Sequence, residues 1–319
     1  MKATDRMSAK VERYLAFRRG LGYQLRIEGM LLQKFAAFAD AAKHRGPLTV
    51  DLAVQWAGLP DGCDRLYCAR RLEIVRCFAR HLAVTEADTQ VPPRGMFGPA
   101  HRRTTPYIYS RAEVAALVNQ AALLSPSGGL RPRMYATLIG FLACTGLRIS
   151  EALHLTRRDT DLDHGFVTIR ETKFRKTRLV PVHATAGAAL QDYVVARDRL
   201  VTEPQCDRFF ICGRGQALPY STVRGVFRRM CESLQITGDG GRRPRLHDLR
   251  HTFACRRVEE WYDAGAELGH AVAALSVYLG HAKVSDTYWY LTATPALMAR
   301  AAQRFESFTA RARGEEVST

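Results

Sequence analysis

Tyr278-Leu-Gly-His-Ala-Lys-Val-Ser-Asp-Thr-Tyr-Trp-Tyr290 carries an imidazole at His281 and a phenol nine residues later at Tyr290. Upstream lies His247-Asp-Leu-Arg-His251, which reads either as a phosphate-handling group or as a solvated basic helix. Helical spacing puts His247, Arg250 and His251 on one side and leaves Leu249, Phe253 and Ala254 for a core. Arginine holds two phosphate oxygens bidentately, and histidine donates or accepts a proton near pH 7. Earlier still, in Thr145-Gly-Leu-Arg-Ile-Ser-Glu151, Gly146 permits a tight turn, and Arg148 and Glu151 lie three residues apart on one helical face.

Between the arginine segments, Phe166-Val-Thr-Ile-Arg170 and Arg178-Leu-Val-Pro-Val182 alternate with period two around the polar run Glu171 to Thr177. This predicts a β-hairpin with a long basic turn. Ser110-Arg-Ala-Glu113 has the capping-box form and opens a helix through Val114, Leu117 and Val118, and a second helix follows from about Arg133. From Thr222 the pattern is helical again, and a last helix is expected from about Pro295 to Thr309. Its apolar stripe is Leu297, Met298, Ala301, Ala302 and Phe305.

Val91 to Ser110 holds four prolines, two glycines and the basic run His101-Arg102-Arg103, and reads as a linker. Before it, apolar residues recur at helical spacing: Val11, Tyr14, Leu15; Leu31, Phe35, Phe38; Leu72, Val75, Phe78, Ala79, Leu82. The chain therefore reads as an all-helical domain over 1–92, a linker over 93–108 and a second domain over 109–319.

The 319 residues include 47 Lys and Arg against 31 Asp and Glu, a formal charge of +16, and basic residues are in excess in both halves. That points to a polyanion, either nucleic acid or an anionic membrane surface. The longest mostly apolar stretch, Met134 to Leu147, falls short of the roughly 20 residues of a spanning helix. The amino terminus has no apolar segment after its first charges, so a cytoplasmic protein is expected. Cys63, Cys68, Cys77, Cys144, Cys206, Cys212, Cys231 and Cys255 form no C-x-x-C pair, which suits buried small hydrophobes in a reducing compartment and gives no metal site. No phosphate-loop motif and no acidic cluster of the kind that holds Mg²⁺ pairs is present.

Arg148 in T-G-L-R-x-S-E, then H-x-L-R-H, then L-G-H with a tyrosine nine residues later, resembles the tyrosine recombinase (phage integrase) family over roughly Thr105 to Phe308. The amino-terminal half matches by size, helicity and position. The resemblance implies a mainly α fold with a small β-sheet: an all-helical, SAM-like core-binding domain plus an α+β catalytic domain. It also implies double-stranded DNA as partner, neither membrane nor cofactor, and cleavage and rejoining through a covalent 3′-phosphotyrosine and a Holliday junction. A second L-G-H at Leu268-Gly-His270 is followed at nine residues by Leu279, which cannot attack, so the pattern selects Tyr290 and leaves Tyr278, Tyr288 and Trp289 as packing residues.

By the same resemblance Tyr290 is the nucleophile, Arg148 and Arg250 clamp the phosphate, and His247 transfers a proton with the tyrosine. Lys173 protonates the departing 5′ oxygen, with Lys176 the alternative, because Thr172 and Phe174 stand where family members often have glycine. His281 hydrogen-bonds the phosphate and Glu151 orients a basic neighbour. Arg102, Arg103, Arg175, Lys176, Arg242, Arg243 and Arg245 are candidate DNA contacts. Family members often dock the carboxy-terminal segment on a neighbour, so residues 295–310 are either an exchange helix of a homotetramer or mixed tetramer, or an intramolecular packing element. The wording around His281 resembles recombinases of transposons and integrative elements. Chromosome or plasmid dimer resolution, type IB topoisomerase-like relaxation and a catalytically silent DNA-binding protein are the competing readings.

Overall fold

The computed structural model describes residues 6–59, 62–101, 105–170, 177–288 and 290, together with 298, 299, 302, 305 and 306. The chain forms two compact units, Met1–Thr104 and Thr105–Thr319.

The first unit is helical: α1 (Met7–Gly20), α2 (Arg26–Ala41), α3 (Val50–Gly58) and α4 (Arg65–Leu82). Each helix turns its apolar stripe inward. Val11, Tyr14 and Leu15 meet Leu31, Leu32 and Phe35, with Trp56 and Val75, Phe78 and Ala79 closing the core. Thr49 and Asp64 cap α3 and α4 by accepting the Leu52 and Leu66 amides.

The first half of the proline-rich stretch is strapped to α4, and one expectation about the cysteines is corrected. Arg76 donates to the Pro92 carbonyl (2.9 Å), Arg70 to the Ala100 carbonyl (3.1 Å), and Glu73 meets His101 at 2.6 Å. Prolines leave carbonyls without competing amides, and the arginines of α4 reach them. Cys63 and Cys68, expected as free thiols, are joined as a disulfide across the start of α4. Cys77 and Cys144 are exposed, and Cys231 and Cys255 are buried as expected.

The second unit contains α5 (Arg111–Ala122), α6 (Leu130–Thr145), α7 (Ile149–His154), β1 (Thr160–Asp161), β2 (Phe166–Ile169), β3 (Arg178–Pro181), α8 (Ala184–Leu200), α9 (Tyr220–Ser233), α10 (Leu246–Asp263), α11 (Leu268–Leu279) and α12 (Ser285–Tyr288). The Ser110 and Glu113 capping box opens α5 as predicted. Tyr107 to Ser110 belongs to this unit. The Tyr109 amide donates to Thr252 Oγ1 and its hydroxyl to the Arg245 carbonyl, fixing the segment on α10. The buried helix α6 packs against α5, α8 and α10. Strands β1, β2 and β3 form an antiparallel sheet in that order, with Val167 opposite Val180 and Ile169 opposite Arg178. Val167, Ile169 and Val180 are buried while Leu179 faces out, as a half-covered sheet requires. A separate small cluster joins α10 and α11 through Ala254, Cys255, Val258, Leu275 and Leu279, and Tyr290 packs into it.

Candidate active site

Two glycine-capped helix ends build the site. Gly146 ends α6 at φ +61°, its amide bonded to the Leu142 carbonyl, and the chain turns to present Arg148 at the start of α7. Gly280 ends α11 at φ +66°. Its amide reaches the Val277 carbonyl and that of His281 the Ser276 carbonyl, the Schellman pattern, which throws His281 out of the helix. The glycines are required twice over. A Cβ at Gly146 would run into the Phe253 ring, and one at Gly280 would meet the Arg178 guanidinium at 2.8 Å.

Arg250, in the first turns of α10, is 2% exposed and bridges both ends. Its Nη1 donates to the Gly146 carbonyl (2.9 Å) and its Nη2 to the Leu279 carbonyl (2.7 Å). Burial and the nearby Arg148 push its pKa down to about 10. Arg148 donates through Nη1 to Glu151 Oε1 (2.8 Å) and through Nη2 to the Gly280 carbonyl (3.2 Å). The Glu151 carboxylate also accepts the Arg148 amide, so it caps α7 while it holds the guanidinium.

Tyr290 is 3% exposed, and the charge of the Arg250 guanidinium acts on its hydroxyl. Burial outweighs that cation and Arg148, so the phenol sits above its ordinary pKa and is protonated at neutral pH. The His251 ring lies 5.6 Å from the Tyr290 ring and the His281 ring 6.1 Å from it. His247 stands edge-on to His251 at 4.8 Å, toward solvent. Desolvation and the adjoining arginines keep all three imidazoles neutral, with values pushed down to about 4 for His247, about 3 for His251 and about 4 for His281. His281 Nδ1 is hydrogen-bonded to the buried Thr287 hydroxyl at 2.7 Å.

The fold thus brings Arg148, Glu151, His247, Arg250, His281 and Tyr290 together from three separate chain segments. Lys173, Arg175 and Lys176 of the hairpin turn, and Arg102 and Arg103, lie outside the described residues, as does Trp289. Arg243 is exposed on the loop before α10. Arg245 is exposed and pairs with the buried Asp248 through Nε (3.3 Å) and Nη2 (2.8 Å), fixing the start of α10. Tyr278 packs on Phe253 as expected, but Tyr288 is exposed rather than packed. Two residues join the site that carried no assigned role, Arg178 and His251. The i, i+4 spacing in H-D-L-R-H signalled the second, and period-two alternation signalled the first by placing Arg178 on the same inward face as Val180. Among the described residues no group of three or more His, Cys, Asp or Glu could hold a metal ion, and no helix is long and apolar enough to cross a membrane.

Known proteins resemble this chain in sequence and in fold. The model of the phage integrase family matches residues 111–296. The putative integrase/recombinase y4rB of Sinorhizobium fredii is 38% identical over 302 residues, 93% of this chain and 96% of that one. The tyrosine recombinase XerC of Corynebacterium glutamicum is 27% identical, covering 80% of this chain and 77% of its own. In fold, the chain is similar to XerH site-specific recombinase bound to its difH substrate (TM-score 0.65, 19% identity, 94% of this chain and 85% of that one). It is also similar to the Tn1549 transposon integrase in complex with transposon right end DNA (TM-score 0.66, 16% identity, 95% and 99%).

Proposed function

Since the chain belongs to the phage integrase family and is a tyrosine-type site-specific recombinase, we propose that Tyr290 is the nucleophile that cleaves DNA and holds it as a 3′-phosphotyrosine. The observation that carries this reading is the hydroxyl of a buried tyrosine set against the Arg250 guanidinium, with Arg148 adding charge beside it. Two guanidiniums that disfavour each other gain when an anion arrives between them. The charge developing on the non-bridging oxygens of a phosphorane is such an anion.

In the forward step the Tyr290 oxygen bonds to phosphorus and the bond from phosphorus to the 5′ oxygen breaks. The phenolic proton passes to the imidazole of His247, which is neutral at neutral pH and so has a free acceptor nitrogen. The leaving oxygen takes a proton from Lys173, with Lys176 the alternative donor. With Nδ1 accepting the Thr287 hydroxyl, a neutral His281 carries its proton on Nε2 and donates it to a phosphate oxygen. Glu151 keeps Arg148 in place. The phosphotyrosine bond conserves the energy of the broken phosphodiester, so a 5′ hydroxyl from a partner strand reverses the step and frees Tyr290. Exchange between two duplexes passes through a Holliday junction. The biological task proposed is integration, excision or transposition of a mobile element, supported by a higher identity to the putative integrase/recombinase than to XerC.

The active assembly is proposed to be a tetramer, of identical chains or with a paralogue, on double-stranded DNA. Of the predicted carboxy-terminal stripe, Met298 and Phe305 are helical and 54% and 68% exposed. The same unit carries a groove of about 1020 Å³ lined by Val114, Ala143, Ala186, Trp261 and Leu275. Exposed apolar side chains and an apolar groove in the same unit suit a segment handed from each chain to its neighbour.

The test is a denaturing gel of the purified chain incubated in EDTA with a nicked suicide duplex carrying the sequence that it selects from a randomised pool. A covalent band that Tyr290→Phe abolishes supports the reading. A band that survives the substitution, or no band from the unsubstituted chain, contradicts it.

A further inference from the structure

Arg178 opens β3 opposite Ile169, on the side of the sheet that faces the core, and its side chain is 12% exposed. An inward arginine needs acceptors in a fixed geometry. It has three: Nη1 and Nη2 donate to Glu151 Oε1 (3.1 Å) and Oε2 (2.9 Å), and Nε donates to the Tyr278 carbonyl (2.8 Å). Arg178 therefore takes Glu151 in the side-on, two-pronged manner, whereas Arg148 holds the same carboxylate through Nη1 alone. Gly280, with no side chain, leaves the room that the Arg178 guanidinium occupies.

The charge balance around Glu151 follows. One buried carboxylate faces two guanidiniums. If Arg148 were its sole partner, the pair would be neutral and closed, and Arg148 would have little net attraction left for a phosphate. With Arg178 compensating the carboxylate, Arg148 retains a net positive charge and free N–H donors. Arg178 also ties β3 to the end of α11, the helix end that Arg148 itself grips at Gly280.

Resting on the recombinase reading above, we propose that Arg178 is a positioning residue for phosphate cleavage: it neutralises Glu151 and anchors the α11 end so that Arg148 is left to the scissile phosphate. It touches no reacting atom and acts through Glu151.

The test compares Arg178→Gln, Arg178→Lys, Glu151→Gln and the Arg178→Gln/Glu151→Gln double variant on the selected suicide duplex, measuring single-turnover adduct formation, DNA affinity and melting temperature. Arg178→Gln is expected to slow adduct formation about 100-fold, as a small displacement of a catalytic group does, with DNA affinity close to that of the parent and a melting temperature lowered by the lost buried ion pair. Arg178→Lys restores part of the rate, since an ammonium still compensates the carboxylate. The double variant is expected to react about tenfold faster than Arg178→Gln alone, because removing the carboxylate charge releases Arg148. A scaffold residue would give no such recovery. The proposal is overturned if Arg178→Gln reacts at the parent rate, if the double variant is no faster than Arg178→Gln, or if DNA affinity falls in step with the rate. Absence of any adduct from the unsubstituted chain would instead bring down the recombinase reading and this proposal with it.

Discussion

The Arg250 guanidinium donates to the carbonyl of Leu279 at 2.7 Å, and the carbonyls on either side are held by arginines too, Tyr278 by Arg178 and Gly280 by Arg148. The last carbonyls of a helix lack partners within it and carry its partial negative charge. At the end of α11 three consecutive carbonyls, the last that of its capping Gly280, are each met by a guanidinium from a different part of the chain. The helix end thereby fixes the cations that the proposed chemistry needs, and the residue just past it, His281, enters the same site.

Gly146 is where this arrangement is most sensitive to added volume. A Cβ there would meet Phe253 Cγ at 2.9 Å in a left-handed backbone conformation. Gly146→Ala is expected to destabilise the second unit by about 2–4 kcal/mol, combining the left-handed cost with overpacking. Urea unfolding checks it, and Phe253→Leu in the same chain should return part of the loss. An unchanged midpoint would contradict the packing described.

Acid should destabilise the protein in a window set by the imidazoles. His247, His251 and His281 have folded values of about 4, about 3 and about 4, against about 6.5 in an unfolded chain. Below pH 6.5 the unfolded chain takes up protons that the folded one refuses, so stability is full above that pH and falls as pH drops toward 4. Glu151, held below the usual carboxylate value, adds to the loss only at lower pH still. Melting temperature measured from pH 7.5 to 4.5 should decline, and His251→Gln should flatten the slope. A flat profile in the parent would contradict neutral, desolvated histidines.

Most of the site was legible because its parts are local. Gly146 and Arg148, His247 and Arg250, and Gly280 and His281 each sit within one turn or helix end, where spacing dictates placement. The β2–β3 hairpin followed from alternation. Arg178 was not assigned, because its partners Glu151 and Tyr278 are distant in sequence and only the strand register brings them together. The extra strand β1 is two residues long and pairs solely through β2, too short to show a period. The pairing of Arg245 with Asp248 was not read, since only the fold shows the buried carboxylate that it meets. The strapping of Pro92 to His101 onto α4 depends on carbonyls, which leave no mark in side-chain pattern.

Lys173 is proposed as the acid for the leaving 5′ oxygen. Lys173→Ala should lose cleavage of ordinary DNA and recover it on a 5′-bridging phosphorothiolate, whose sulfur departs without a proton. Rescue seen with Lys176→Ala instead would transfer the role to that residue, and rescue with neither would remove general-acid catalysis from the hairpin.

The exposed carboxy-terminal residues should matter for assembly. Met298→Glu/Phe305→Glu is expected to leave binding of a single site intact and to abolish the tetrameric complex on a Holliday junction, read by analytical ultracentrifugation. An unchanged tetramer would contradict exchange of this segment.

The central claim is that the Tyr290 hydroxyl, and no other, becomes bonded to DNA. Digesting the covalent adduct with trypsin and nuclease and sequencing the linked peptide by mass spectrometry tests it directly, since cleavage after Lys283 and Arg300 releases Tyr288 and Tyr290 in one fragment whose ions separate the two. Phosphonucleotide mass on Tyr290 is the predicted result. The same mass on Tyr288, on Tyr278 or on any serine would contradict the account.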